Sequence, residues 1–234
     1  MPHTQAKIFL GEERGILEKE HAQLFCVFEE ETFTHPYKRA FGNLHRFNEI
    51  LIDPASLIMR SCRQIATQHY IILLPSMGAV NCMLDGGEEV TIAAGQAYCF
   101  TIPPNCNYSI SNPFSDGVVG LVEIAITINS DAVINPSLIT YPISAQPDTL
   151  LPFNNANNFI KASIGLFAGR KEAKYHYQTP QYQLFSFVLQ GAFELEGRLL
   201  HAKDALAIWD TEYIELEALS NNAIILLVEF LSTP

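Results

Sequence analysis

Apolar residues recur along this chain at every second position or in short unbroken runs, and no stretch of ten or more residues keeps a 3.6-residue apolar period. Alternation of this kind buries one face of a β-strand, and unbroken runs suit strands covered on both faces. Strands are expected at 5–10, 23–28, 44–50, 56–61, 69–75, 79–84, 88–93, 96–102, 107–111 and 117–128. Asp85-Gly86-Gly87 separates two of these patterns and reads as a hairpin turn. The stretch 12–22, "EERGILEKEHA", is the place where a helix fits. Residues 129–158 are dense in Pro and Asn, and the periodicity fades to a short strand near 139–143. Strand patterns then return at 159–169, 174–178, 183–190, 192–196, 198–202, 204–210, 213–219 and 222–231.

The two strand-rich stretches resemble each other. "MGAVNCML" (77–84) matches "QGAFELEG" (190–197), "AAGQAYCF" (93–100) matches "HAKDALAI" (201–208), and "GLVEIAI" (120–126) matches "LLVEFLS" (226–232). The offsets of 113, 108 and 106 residues shrink in order, as they do when a second copy has shorter loops. The expected architecture is all-β: a small β-barrel present in two tandem copies, each folding two sheets face to face. The first barrel is placed at 1–130, a linker at 131–158 and the second barrel at 159–234.

Composition narrows the function. Of 234 residues 48% are hydrophobic and 17% charged, against an average charged content of about 25%. This is a folded, core-heavy chain whose apolar excess suits a homodimer or a protein partner. A net charge of −11 disfavours direct nucleic-acid binding, and no basic run addresses a membrane surface. Five cysteines without a CxxC read as reduced, buried thiols. With no apolar leader at the start and no apolar stretch of about 20 residues, the expected compartment is the cytoplasm.

Strand order and glycine positions resemble the cupins and, end to end, the pirin family of two-domain cupins, which implies two tandem cupin-type jelly-roll β-barrels in a bicupin arrangement. "ERG" (13–15), "HPYKRAFGNLHRFNEI" (35–50), "AAGQAYCF" (93–100), "NYSISNP" (107–113) and "DALAIWDTEYIELEAL" (204–219) carry the resemblance. The second cupin motif, G-x5-P-x-G-x2-H-x3-N, survives as Gly95, two extra residues, Pro103, Asn105, Tyr108 and Asn112. The resemblance implies one metal in the N-terminal barrel, held by an H-x-H and an H-x-E pair. Anchoring on Asn112-Pro113 puts Tyr108 and Ile110 at H-x-E. Anchoring on Gly78 puts Gln64 and Ala66 at H-x-H, and counting from Asn48 gives Ser61 and Arg63.

None of these residues is a histidine. A first-row metal needs several lone-pair donors converging at about 2.0–2.3 Å. H-x-H chelates because residues i and i+2 of a strand share a face, and no two of the seven histidines have that spacing. The metal positions are therefore read as vestigial and no cofactor is expected, a single Fe, Ni or Zn ion being the alternative. His35 reads as a loop residue, His69 as a strand-end residue, His176 as hydrogen-bonded structure and His201 as a residue facing water. The acidic clusters "FEEETF", "FELEG" and "YIELEAL" read as solvated strand faces. Gln64, Tyr98 and Tyr108 are left as a candidate pocket for a small organic ligand, unless Tyr108 plugs the interior. Three functions follow: a protein that binds a small molecule or a protein partner, with no assigned catalytic residue; a metal-dependent dioxygenase, quercetinase-like, or isomerase with non-standard ligands; and a structural or assembly protein.

Overall fold

A computed structural model describes residues 4–29, 40–61, 68–128, 134–154, 160–178 and 181–231. Twenty-one strands run through these residues. The first twelve are β1 (Gln5–Phe9), β2 (Gly15–Lys19), β3 (Ala22–Phe28), β4 (Leu44–Ile52), β5 (Leu57–Ser61), β6 (Gln68–Met77), β7 (Ala79–Leu84), β8 (Glu89–Ala93), β9 (Gln96–Ile102), β10 (Asn107–Ser111), β11 (Val119–Ile128) and β12 (Ser137–Thr140). The remainder are β13 (Thr149–Asn154), β14 (Ile160–Phe167), β15 (Glu172–His176), β16 (Tyr182–Gln190), β17 (Ala192–Leu195), β18 (Arg198–His201), β19 (Ala205–Trp209), β20 (Tyr213–Ala218) and β21 (Ala223–Leu231). None of the described helices is long and apolar enough to cross a membrane.

The strands form two compact units. The first, Gly15–Thr140, packs a sheet ordered β12-β9-β6-β11-β4-β3-β2 with a second sheet ordered β5-β10-β7-β8. The other unit has β1-β19-β16-β21-β14-β13 and β15-β20-β17-β18. Core strand orders match: β9-β6-β11-β4-β3 corresponds to β19-β16-β21-β14-β13, and β5-β10-β7-β8 to β15-β20-β17-β18. The internal repeat is thus a structural duplication, in which each copy is a two-sheet jelly-roll sandwich. β11 is buried along its whole length at the centre of its sheet, which its unbroken apolar run foretells.

The unit boundaries differ from the expected 1–130, 131–158 and 159–234. Met1–Arg14 belongs with the second unit, because β1 pairs antiparallel with β19 from Gln5↔Trp209 to Phe9↔Ala205. Asp204 adds to this tie, accepting from Gly11 N–H at 2.7 Å and from His201 N–H at 2.8 Å. The expected linker divides: β12 joins the first unit's sheet and β13 the second's, so the strand anticipated near 139–143 lies at Ser137–Thr140. The helix allowed at 12–22 is instead a three-residue 3-10 turn, Gly11–Glu13, followed by the β2–β3 hairpin.

Two loops illustrate how the turn chemistry works. Asn105, where the cupin motif has glycine, sits at φ 63°, a left-handed conformation that Asn tolerates better than most residues. The Asn112 amide lies 2.7–3.0 Å from the carbonyl oxygens of Ile52, Asp53 and Gly117, and its Oδ1 accepts from Phe114 N–H at 2.9 Å. One buried side chain thereby fastens its own loop, 112–117, to the end of β4 at Ile52-Asp53 in the first jelly roll.

Candidate functional site

Inside the first jelly roll, β4 turns Arg46, Asn48, Ile50 and Ile52 inward, β5 turns Ile58 and Arg60 inward, and β11 turns Leu121, Glu123 and Ala125 inward. β10 faces Tyr108 and Ile110 into the same core. Tyr108 lies opposite Arg60 in register, and Glu123 opposite Asn48. Glu29, just past β3, completes the group. Arg46, Asn48, Arg60, Tyr108, Glu123 and Glu29 are all buried, so four charges and two neutral polar groups meet out of reach of water.

Arg60 is the hub. Its Nε–H lies 2.9 and 3.1 Å from the two oxygens of Glu123, and its Nη2 donates to Glu123 Oε2 at 2.7 Å and to Glu29 Oε2 at 2.8 Å. Arg46 reaches Glu29 Oε1 from Nε at 3.3 Å, the Ser61 carbonyl from Nη2 at 3.2 Å and the Tyr108 hydroxyl from Nη1 at 3.4 Å. Tyr108 donates its hydroxyl proton to Glu123. Asn48 donates to Glu29 at 2.6 Å, and its own Oδ1 is buried without a partner.

Two guanidinium and two carboxylate charges cancel, and each partner fixes the ionisation of the others. Burial alone would raise Glu123, but Arg60 and then Arg46 outweigh it and hold the carboxyl down to about 2. Glu29 is lowered in the same way, with Glu123 opposing. Tyr108 is pushed well above the usual phenol range by burial and by Glu123, so it remains a neutral donor. Cys82 is pushed up to about 12 by burial and, secondarily, by Glu123.

Of the expected pocket residues, Tyr98 and Tyr108 both lie in the core, linked through Phe100 at ring-centroid distances of 5.2 and 5.3 Å. Gln64 and Ala66, and the alternative Arg63, fall outside the described residues; Ser61 ends β5 and gives its carbonyl to Arg46. Ile110 is fully buried apolar packing. His69 is buried, with Nε2 3.3 Å from Thr127 Oγ1 and its ring 6.0 Å from that of His45. His176 is exposed against Tyr213, and His201 is exposed. His35 lies outside the described residues.

Of the acidic clusters, "FELEG" and "YIELEAL" do face outward. Glu194, Glu196, Glu215 and Glu217 line an open groove of about 610 Å³ with Glu172 and Lys174, where Arg170 pairs with Glu217 at 2.8 Å. In "FEEETF" the expectation fails at Glu29, which is turned inward. Arg46, Arg60, Glu29 and Glu123 were all missed as site residues. One signal was present: "VEIAI" and "VEFLS" each place a glutamate inside an apolar run, at the same place in both copies.

Donors for a metal are scarce here. Tyr108 is a protonated phenol committed to Glu123, Ile110 has no lone pair, and both carboxylates are bound by guanidinium groups. Among the described residues, no group of three or more His, Cys, Asp or Glu is arranged to hold a metal ion.

Residues 157–230 match the family described as the quercetinase C-terminal cupin domain. Among solved structures, YhhW from Escherichia coli is similar at 15% identity and TM-score 0.81, over 98% of this chain and 99% of that one. The bacterial pirin YhhW in complex with nickel(II), also from Escherichia coli, gives 16% identity and TM-score 0.78 over 98% and 100%. Quercetin 2,3-dioxygenase from Acinetobacter baumannii gives 11% identity and TM-score 0.68 over 97% and 79%. No curated protein matches significantly in sequence. Jelly-roll duplication, strand order and these likenesses agree that the chain is, by fold, a pirin-like bicupin.

Proposed function

We propose that this chain is a metal-independent, pirin-like binding protein whose first jelly roll is locked by an internal ion network. The observation that supports this reading is Arg60, held between Glu29 and Glu123 beside Tyr108, the residue aligned with the first H-x-E position. A divalent cation entering there would meet two positive guanidiniums. It would have to displace them from the only two carboxylates within the network, and it would gain no histidine from Tyr108 or Ile110. Nickel binding by YhhW and the activity for which the dioxygenase is named are accordingly not expected of this chain. With no metal to activate oxygen, the function left is recognition of a small molecule or a protein partner, and the buried cysteines Cys82 and Cys99, neither in a disulfide, suit a reducing cytoplasm.

Elemental analysis of protein produced in medium supplemented with iron, nickel and zinc tests the reading. Substoichiometric metal is expected, unchanged in Tyr108→Phe. One equivalent of metal that disappears in Tyr108→Phe would overturn the proposal in favour of an oxygenase.

A further inference from the structure

Glu229 in β21 occupies the place in the second jelly roll that Glu123 occupies in the first, at the 106-residue offset of the repeat. It too is fully buried. The groups around it have changed. Tyr108 lies opposite Arg60 in the β10–β5 pair; the matching β20–β15 pair sets Ile214 opposite Tyr175. A tyrosine thus stands where the first jelly roll has its central guanidinium, and an isoleucine where it has the phenol. Lys161 faces Glu229 in register, at the position of Asn48, but is only half-buried; among the described residues Glu229 makes no ion pair.

Glu229 is satisfied by hydrogen bonds alone. Tyr175 donates its hydroxyl at 2.5 Å, and the Gln178 backbone N–H donates at 2.7 Å. Beside it, Tyr177 is 9% exposed and its hydroxyl is buried without any partner. The Tyr175 and Tyr177 rings meet edge to face at 6.1 Å. Tyr182, also nearly buried, is close enough for Glu229 to help raise its pKa, after burial. Burial, Glu229 and Glu196 keep Tyr177 a neutral phenol, able both to donate and to accept.

A carboxylate out of water calls for a counter-charge, and aromatic faces around it attract an organic cation through their quadrupoles. We infer that this end of the second jelly roll binds a small organic ammonium, its N–H groups on Glu229 and the Tyr177 oxygen, its carbons against Tyr175, Tyr177 and Tyr182. The inference gives a ligand class to the binding reading above, yet uses no residue of the first jelly roll.

Calorimetric titration of the full chain with n-butylamine at pH 7, where it is butylammonium, tests the inference, with butyrate as the anionic counterpart. Saturable binding of the amine and none of butyrate is expected. Affinity should fall about tenfold or more in Glu229→Gln, and severalfold in Tyr177→Phe, which removes one hydroxyl and leaves the ring. Tyr177→Phe should melt no lower than the parent, since the hydroxyl it loses has no partner, so it serves even where Glu229→Gln folds poorly. Tyr108→Phe, in the first jelly roll, should bind the amine as the parent does. No saturable binding up to about 10 mM, equal binding of butyrate, or an affinity untouched by Tyr177→Phe would each overturn the inference. Metal found in the first jelly roll would overturn the metal-independent reading and leave this one standing.

Discussion

Replacing Arg60 by methionine should be among the most damaging single changes available in the first jelly roll. The side chain is 2% exposed and contacts both carboxylates of the network at 2.7–3.1 Å. Methionine fills much of the same space but leaves Glu29 and Glu123 sharing Arg46, one buried negative charge in excess. Breaking a buried ion pair by removing one partner costs about 3–5 kcal/mol. At about 2–4 °C per kcal/mol for a chain of this size, the midpoint should fall by about 6–20 °C at pH 7, measured by calorimetry or circular dichroism. The pH dependence has a definite sign. Glu123 is depressed from 4.5 to about 2 in the folded state, so its contribution is complete above pH 4.5 and is lost as pH falls toward 2. In Arg60→Met that depression shrinks, and the gap between variant and parent should close through the same window. The double variant Arg60→Met/Glu123→Leu leaves Arg46 with Glu29 as a neutral pair, and should recover most of the loss because apolar replacement of a whole buried pair is often nearly neutral. A single variant melting within about 2 °C of the parent, or a double variant worse than the single, would refute the view that these charges lock the core.

Other consequences are more local. Asn112→Ala should cost about 2–4 kcal/mol in denaturant melts, since several loop carbonyls and the Phe114 N–H lose their partner together. Asp204→Ala should free the Gly11 and His201 amides, with faster hydrogen exchange along residues 5–9 and a loss of about 1–3 kcal/mol. Gly165→Ala would set a Cβ 2.4 Å from the Phe167 ring and 3.0 Å from the Thr149 carbonyl; overpacking of about 1–3 kcal/mol should lower the melting temperature of the second unit. Cys82 and Cys99, both buried with thiols pushed up to about 12, should resist maleimide at pH 7.5 in the native protein and react after unfolding.

The strands and the duplication were legible because both are local: period-2 patterning, Asp85-Gly86-Gly87 and the recurring "VE" are properties of short segments. Register was not. Glu29 belongs to an acidic run that reads as a solvent face, and in a regular strand it would be one. A β-bulge between Cys26 and Phe28 adds one residue, so Phe28 pairs with Phe47 on the opposite face of the sheet, where both are also buried, and Glu29 turns inward toward Arg46. Arg46 lies beside a second irregularity, where Ala125 opposes Arg46 but Ile126 opposes Leu44. Tyr108 is buried inside, and its partners come from β4, β5 and β11, up to 62 residues away in sequence.

Alternation of apolar and polar side chains, with glycines and asparagines at the turns, was enough to determine two small β-barrels in tandem, since a strand's buried face is written into its own residues. Which charged groups meet inside, and that the first copy balances its buried glutamate with guanidiniums while the second surrounds it with phenols, was decided only in three dimensions. A bulge of one residue reverses the facing of all that follow it, and no single strand carries the information that sets its neighbour's register.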